Sequence, residues 1–341
     1  MNRELLTIVI MTRDRTDLLK LCLRSVFEYQ ASAVKVIVSD NSTKNHPEIN
    51  VLRKQYGFSY VRQSGRLSIT EHHNTCLKLP SCRWVWLVHD DDEVFPGSVG
   101  KVKSFLNDCK NVGIVIGGVE YIDQESKVQG TWLPKVKKIV RGEEALLGLG
   151  LDWGVRAPSQ IFGVHESLQN GGFQDMRGLP ADYAFAVLLA FSHGVAFCHE
   201  FIGRYRLGPQ QVSIGDSDRE KTEAWLKFTT CQAELIRVSG CAPSTADRVA
   251  DYLNWWAFLV HAPPWLESNP AFVYRLVREC LKASPWKGEW QKRVRSEYPF
   301  LFWRPQCLAW PLYRAWAESR RLLDILRRKN VLNVLRKSKK G

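Results

Sequence analysis

Nowhere in the 341 residues do 18 apolar residues run together; the best stretch, Ala184 to Phe191, is closed by Ser192, His193 and Gly194. A membrane-spanning helix is therefore not expected. The nine cysteines lie between Cys22 and Cys307 without a C-x-x-C pair, and no His cluster stands at finger-like spacing. That argues against a zinc module and against a disulfide framework, and a reducing cytoplasm suits such a chain best. No low-complexity tract and no internal repeat is visible, so neither a disordered chain nor a solenoid is indicated. Near the start, the seven residues Leu5 to Met11 run straight into Arg13-Asp14-Arg15. That is the pattern of a strand rather than of a secretory signal.

What is present is a globular composition, 45% hydrophobic and 24% charged, long enough for an α/β domain and an appendage. The net charge of +13 calls for an anionic partner, but ten Lys or Arg against only Glu318 and Asp324 fall from Arg314 onward. Eight of the thirteen net charges thus belong to the tail. No RNA- or DNA-binding motif accompanies them, and nucleic acid is not the expected partner.

Along the first 120 residues, short apolar runs alternate with helical patterns, as in βαβ units with a parallel sheet. Leu5 to Met11, Val34 to Ser39, Phe58 to Val61, Trp84 to Val88 and Val112 to Ile116 are the expected strands. Leu19, Cys22, Leu23, Val26 and Phe27 recur at helical spacing between the first two. Further on, a helix is expected from about Tyr183 to Phe191, then two short strands, Val195 to Cys198 and Ile202 to Arg206. From about Arg219 the reading is nearly all helix, and nine of the 13 Trp fall between Trp225 and Trp316.

The chemistry gathers after Trp84-Val85-Trp86-Leu87-Val88, which reads as a strand buried on both faces and delivers His89, Asp90, Asp91 and Asp92 at its carboxyl end. Ligands bind at that end of such sheets. Three adjacent carboxylates repel one another unless solvated or neutralised by a cation. In an extended loop Asp90 and Asp92 would point to one side, offering hard oxygen ligands suited to Mg²⁺ or Mn²⁺. His72, His73, His89 and His199 read equally as packing residues or as ligands.

In their order, these segments resemble family 2 of the inverting GT-A glycosyltransferases, from about residue 5 to about residue 213. Thr7 to Arg15 looks like the opening strand, with Thr12 and Arg15 matching and Met11, Arg13 and Asp14 departing from the pattern. Val36 to Ser42 is similar to the second strand, whose terminal Asp, here Asp40 beside Asn41, contacts the donor's base. Gly65 to Asn74 resembles the segment near the donor diphosphate. Many members carry a further Asp where His89 stands. Gly171-Gly172-Phe173 with Ala181-Asp182 looks like the acceptor-side pattern, Ala181 replacing a Glu, and Tyr205 to Ser213 looks like its closing segment, with Gly208 where a His is usual.

The resemblance implies a GT-A, Rossmann-like nucleotide-sugar transferase domain over residues 1–215 and a helical, Trp-rich region with a basic tail over 216–341. It implies transfer of a sugar from a nucleoside-diphosphate sugar to a saccharide or lipid-linked acceptor, in bacterial surface-polysaccharide or O-antigen synthesis. Asp182 falls on the catalytic base. Thr12, Arg13, Arg15, Asp40, Asn41, Asn74, Asp90 and Asp91 fall on the donor side, with Asp90 and Asp92 the favoured metal pair and Asp91 next. The apolar stripe Leu312, Trp316, Leu323 and Leu326, set among arginines, is expected to rest on the anionic inner face of the plasma membrane or on its own domain. The rival expectation is a non-catalytic polyanion- or membrane-surface-binding protein on a degenerate transferase fold.

Overall fold

The computed structural model describes residues 4–28, 34–63, 66–134, 139–142, 145, 156–174 and 181–208. Contacts divide the chain into two units, Met1–Val249 and Ala250–Gly341, and every described residue lies in the first. The expected boundary at 215, the helical region and the basic tail fall outside the described residues. Among the described residues, no helix is long and apolar enough to cross a membrane.

The first half follows from its apolar periodicity. Strands β1 (Leu6–Thr12), β2 (Lys35–Asp40), β3 (Ser59–Arg62) and β4 (Trp84–His89) pair in parallel, in the order β3-β2-β1-β4. Helix α1 (Thr16–Phe27) turns Leu19, Cys22, Leu23 and Val26 inward. With α2 (Glu48–Tyr56) and α4 (Ser98–Asn107) it covers the sheet face carrying Ile8, Ile10, Trp84, Trp86 and Val88. Helix α2 stops at Gly57, which takes the left-handed φ of 73° that a side chain would resist. The other face receives α3 (Ile69–Lys78), whose start is fixed by a capping box: Ser68 accepts from Glu71 N, and Glu71 accepts from Ser68 N.

The second half departs from a purely parallel sheet. Strand β9 (Gln160–Gly163) lies antiparallel between β4 and β6 (Ile114–Ile122), and β10 (Val195–Arg206) pairs in parallel with β6. Two-residue β5 (Glu93–Val94) closes that edge against β10, β7 (Val128–Trp132) hangs on β6, and β8 (Ile139–Val140) pairs with β10. The two strands expected at 195–198 and 202–206 are one strand whose register slips between Phe197 and Gly203. At Gly203 a Cβ would strike the carbonyl of Pro158, so this crossing requires glycine. Helices α5 (Val164–Gln169) and α6 (Ala181–His193) complete the described chain.

The pairing sets Met11 beside His89 and Thr12 beside Asp40. Strands β1, β2 and β4 therefore end at one level, and their terminal polar residues share one rim.

Candidate active site

Asp90 leaves the end of β4 and turns inward to β1. Its amide donates to Met11 O at 3.0 Å, and its Oδ2 accepts from Thr12 Oγ1 at 2.7 Å and Arg15 Nε at 3.3 Å. Arg15 Nη2 lies 2.5 Å from Asp90 Oδ1, and its Nη1 reaches Asp91 Oδ2 at 2.9 Å. Burial pushes the Asp90 pKa up to about 6 against the pull of Arg15. Arg13 is exposed, and its side chain makes no hydrogen bond or ion pair among the described residues.

Asp92 is buried too, and its Oδ1 accepts from the backbone amide of Arg206 at 3.0 Å. Burial and then the neighbouring Asp91 charge raise its pKa well above the carboxylate range. Arg206, only 3% exposed, is the hub of this wall. Its Nε donates to Asp91 O at 2.9 Å, Nη1 to Asp123 O at 2.7 Å, and Nη2 to Glu93 Oε1 at 2.5 Å. The loop carrying the acidic cluster is thus held by the Arg206 guanidinium at Asp91 and Glu93 and by the Arg206 backbone amide at Asp92.

A ring nitrogen of His89 and one carboxylate oxygen each of Asp91 and Asp92 lie within 4.8 Å of one another. Of the sequence-expected metal pair, Asp92 belongs to this group, while Asp90 is held by Thr12 and Arg15. The donor set, one imidazole and two carboxylates, fits a divalent ion of the Mn²⁺ or Mg²⁺ type.

Neighbouring His73, on α3, places Nδ1 2.7 Å from Ile69 O and Nε2 3.0 Å from His89 Nε2. Burial and the nearby His89 lower its pKa to about 3, so the ring is neutral. His73 packs on Phe173, with ring centroids 4.7 Å apart, and Phe173 packs in turn on Phe185 of α6 at 4.3 Å.

Asp40 is fully buried: Oδ1 accepts from Ser42 N at 2.8 Å, and Oδ2 from Tyr60 OH at 2.6 Å and Arg62 Nη1 at 3.1 Å. Asn41 clamps Leu67 through both backbone groups. Asn74 does the same to Phe173, accepting from its N at 2.7 Å and donating to its O at 2.8 Å. A Cβ on Gly172, which has φ 72°, would collide with Asn74 Oδ1. The Gly-Gly-Phe turn and Asn74 are therefore one device.

Asp182 stands in the first turn of α6, half-buried, without a hydrogen bond among the described residues. Its position relative to the cluster is felt at Tyr205. Burial and then the charges of Asp92, Asp182 and Asp91 push the Tyr205 hydroxyl upward, with Arg156 working against them.

Sequence reasoning missed the His73–His89 contact, the Arg206 hub and Asp14, which takes φ 55° and accepts from Thr43 N at 3.0 Å and from His46 Nε2 at 3.2 Å.

The fold is of GT-A type, and residues 7–155 match the model for glycosyl transferase family 2. Over 283 residues the chain is 26% identical to the uncharacterized protein MT1568 of Mycobacterium tuberculosis, covering 77% of this chain and 83% of that one. Its fold is similar to that of S. aureus TarS 1–349 in complex with UDP-GlcNAc, with TM-score 0.62 and 15% identity, over 93% of this chain and 92% of the other. It is also similar to the mannosyltransferase PcManGT of Pyrobaculum calidifontis in complex with GDP-Man and Mn²⁺, with TM-score 0.53 and 13% identity, over 95% and 88%.

Proposed function

We propose that the chain is a metal-dependent inverting glycosyltransferase that moves a sugar from a nucleoside-diphosphate sugar to an acceptor hydroxyl. The observation that carries this reading is the cluster of His89, Asp91 and Asp92 at the end of β4, with donor atoms within 4.8 Å of one another, in a domain whose relatives in fold hold UDP-GlcNAc or GDP-Man. Asp91 and Asp92, with His89, would hold a divalent ion, which when bound neutralises charge developing on the leaving diphosphate. Thr12, Arg15 and Asp90 brace that loop. Arg13, with its guanidinium uncommitted, meets phosphate oxygens. Asp40, Asn41 and Asn74 shape the donor side by fixing Ser42, Leu67 and Phe173. Asp182 takes the proton from the acceptor hydroxyl as that oxygen attacks the anomeric carbon from the face opposite the leaving group.

The test is turnover of UDP- and GDP-sugars by the full chain with Mn²⁺, beside Asp182→Asn. The variant is expected to lose roughly 10²- to 10⁴-fold in turnover while binding donor as before. If Asp182 merely starts its helix, the variant turns over normally and loses at most about 1 kcal/mol of stability.

Surface-polysaccharide synthesis with a lipid-linked acceptor is the setting proposed, and the tail beyond Arg314 the attachment to an anionic leaflet. Each basic residue near such a surface contributes about 1 kcal/mol. Full-length protein should co-sediment with anionic vesicles at low salt, and a chain truncated before Arg314 should not. Equal sedimentation of the two would remove the tail from this role.

A further inference from the structure

The contact between His73 and His89 has a direction. A backbone carbonyl only accepts, so His73 Nδ1, 2.7 Å from Ile69 O, carries the proton of the neutral ring. Its Nε2 is then the lone-pair nitrogen. His89 Nε2 sits 3.0 Å away and must donate to it. The proton of a neutral His89 is thereby placed on Nε2 and the lone pair on Nδ1, which makes no hydrogen bond among the described residues. A ring nitrogen of this residue lies within 4.8 Å of carboxylate oxygens of Asp91 and Asp92.

His73 is well placed to impose that choice. It is 4% exposed, is bonded to the carbonyl one turn back in its own helix, and packs against Phe173. Its ring meets His89 edge-on, at 82° between planes. An imidazole that donates one N–H to a fixed acceptor and leaves the other nitrogen bare is the arrangement by which proteins orient a histidine toward a metal.

We propose that His89 is a nitrogen ligand of the divalent ion, through Nδ1, and that His73 is the positioning residue that fixes its tautomer. The inference rests on the metal reading above. It also deepens that reading, because a site of one imidazole nitrogen and two carboxylates favours Mn²⁺ over Mg²⁺, which takes oxygen ligands and keeps its waters. His73 touches no ion itself.

The experiment titrates Mn²⁺ into the full-length protein, alone and in parallel with UDP, and reads pulsed EPR of the bound ion. Wild type should show coupling to a directly bound ¹⁴N. His89→Asp should bind Mn²⁺ without that coupling and discriminate less between Mn²⁺ and Mg²⁺. His73→Leu should weaken Mn²⁺ binding about 10- to 100-fold, the usual effect of losing a partner that orients a ligand. His73→Gln, whose amide oxygen can accept from His89 Nε2, should recover most of it. Mn²⁺ bound by wild type without nitrogen coupling overturns the His89 assignment and leaves the metal reading standing. No bound Mn²⁺ in either sample overturns both. Unchanged affinity and coupling in His73→Leu overturn the positioning role, and if that variant does not fold, loss of the coupling in His73→Gln does the same.

Discussion

The β1–β4 wall of the site and the wall that α6 offers are built on opposite plans. On the β1–β4 wall nearly every polar side chain is already held by the protein: Asp90 by Thr12 and Arg15, Asp40 by Tyr60 and Arg62, Asn41 by Leu67, Asn74 by Phe173. On the α6 wall, Asp182 stands half-buried at a helix start without such a partner among the described residues. The difference teaches how the work is divided. On the proposed function, charges that would receive an ion and a diphosphate are held beforehand, which spares reorganisation when the ligand arrives. On the same proposal, Asp182 would take a proton through oxygens that no described residue holds.

Breaking the locked wall at its centre should have the largest effect. Asp91→Asn together with Asp92→Asn leaves the loop's shape and removes two charges. Turnover should fall about a hundredfold or more, the scale of losing a group that stabilises developing charge. Mn²⁺-dependent nucleotide binding should weaken alongside. Steady-state kinetics and calorimetry read the two effects. Unchanged turnover at saturating Mn²⁺ would mean that the wall does not hold the ion.

The next test separates the wall's scaffold from its ligands. Arg206 touches no expected substrate, yet it bonds to Asp91 O, Asp123 O and Glu93 at once. Arg206→Met leaves Glu93, 7% exposed, without this buried partner. Breaking one side of a buried pair costs up to about 3–5 kcal/mol, and less here because Arg204 lies 3.6 Å from Glu93 and Ser126 Oγ donates to it. Urea unfolding should show that loss. A variant as stable as wild type would show that the hub is redundant.

The same contrast separates what was legible in the sequence from what was not. The locked wall announces itself: Ile8–Met11 and Trp84–Val88 are unbroken apolar runs, and α1 shows a clean helical stripe, because each buries a continuous face. Strand ends follow from strand identities, so the placing of Asp40 and Asp90 on one rim was readable. Several other elements are too short to carry a period. Four-residue β9 and two-residue β5 and β8 owe their existence to neighbours, not to their own pattern. The continuity of β10 through its slipped register depends on Gly203 passing Pro158, a contact 45 residues apart that no local window contains. Within the site, three consecutive Asp were legible as a cluster. Their division, with Asp90 toward Arg15 and Asp91 and Asp92 toward His89, depends on side-chain direction in an irregular loop, where strict alternation does not apply.

The smallest effect tests how dry the locked wall is behind its rim. His72, on α3, is 5% exposed and shares a 2.9 Å hydrogen bond with Ser39 Oγ. Burial lowers its pKa from the ordinary 6.5 to about 4, the positive character near His89 adding to the effect. The folded protein therefore binds this proton less readily than the unfolded chain does. Unfolding takes up a proton throughout the window between about 4 and 6.5, so the stability contributed by neutral His72 is whole above pH 6.5 and is lost as pH falls through the window, at up to about 1.4 kcal/mol per unit. Asp90 works in the opposite sense, since its raised pKa of about 6 makes the folded state the better proton binder between 3.8 and 6. Wild type alone reports these two together with other shifted groups such as His73 and Asp92. His72→Gln keeps a hydrogen-bonding group near Ser39 and cannot titrate, whereas Asp90 is common to both proteins and cancels in their difference. Urea unfolding at pH 7, 6 and 5 should show the stability of wild type falling relative to that of the variant as the solution is acidified. Parallel curves would mean that His72 titrates as freely as in water, and that solvent reaches behind the rim.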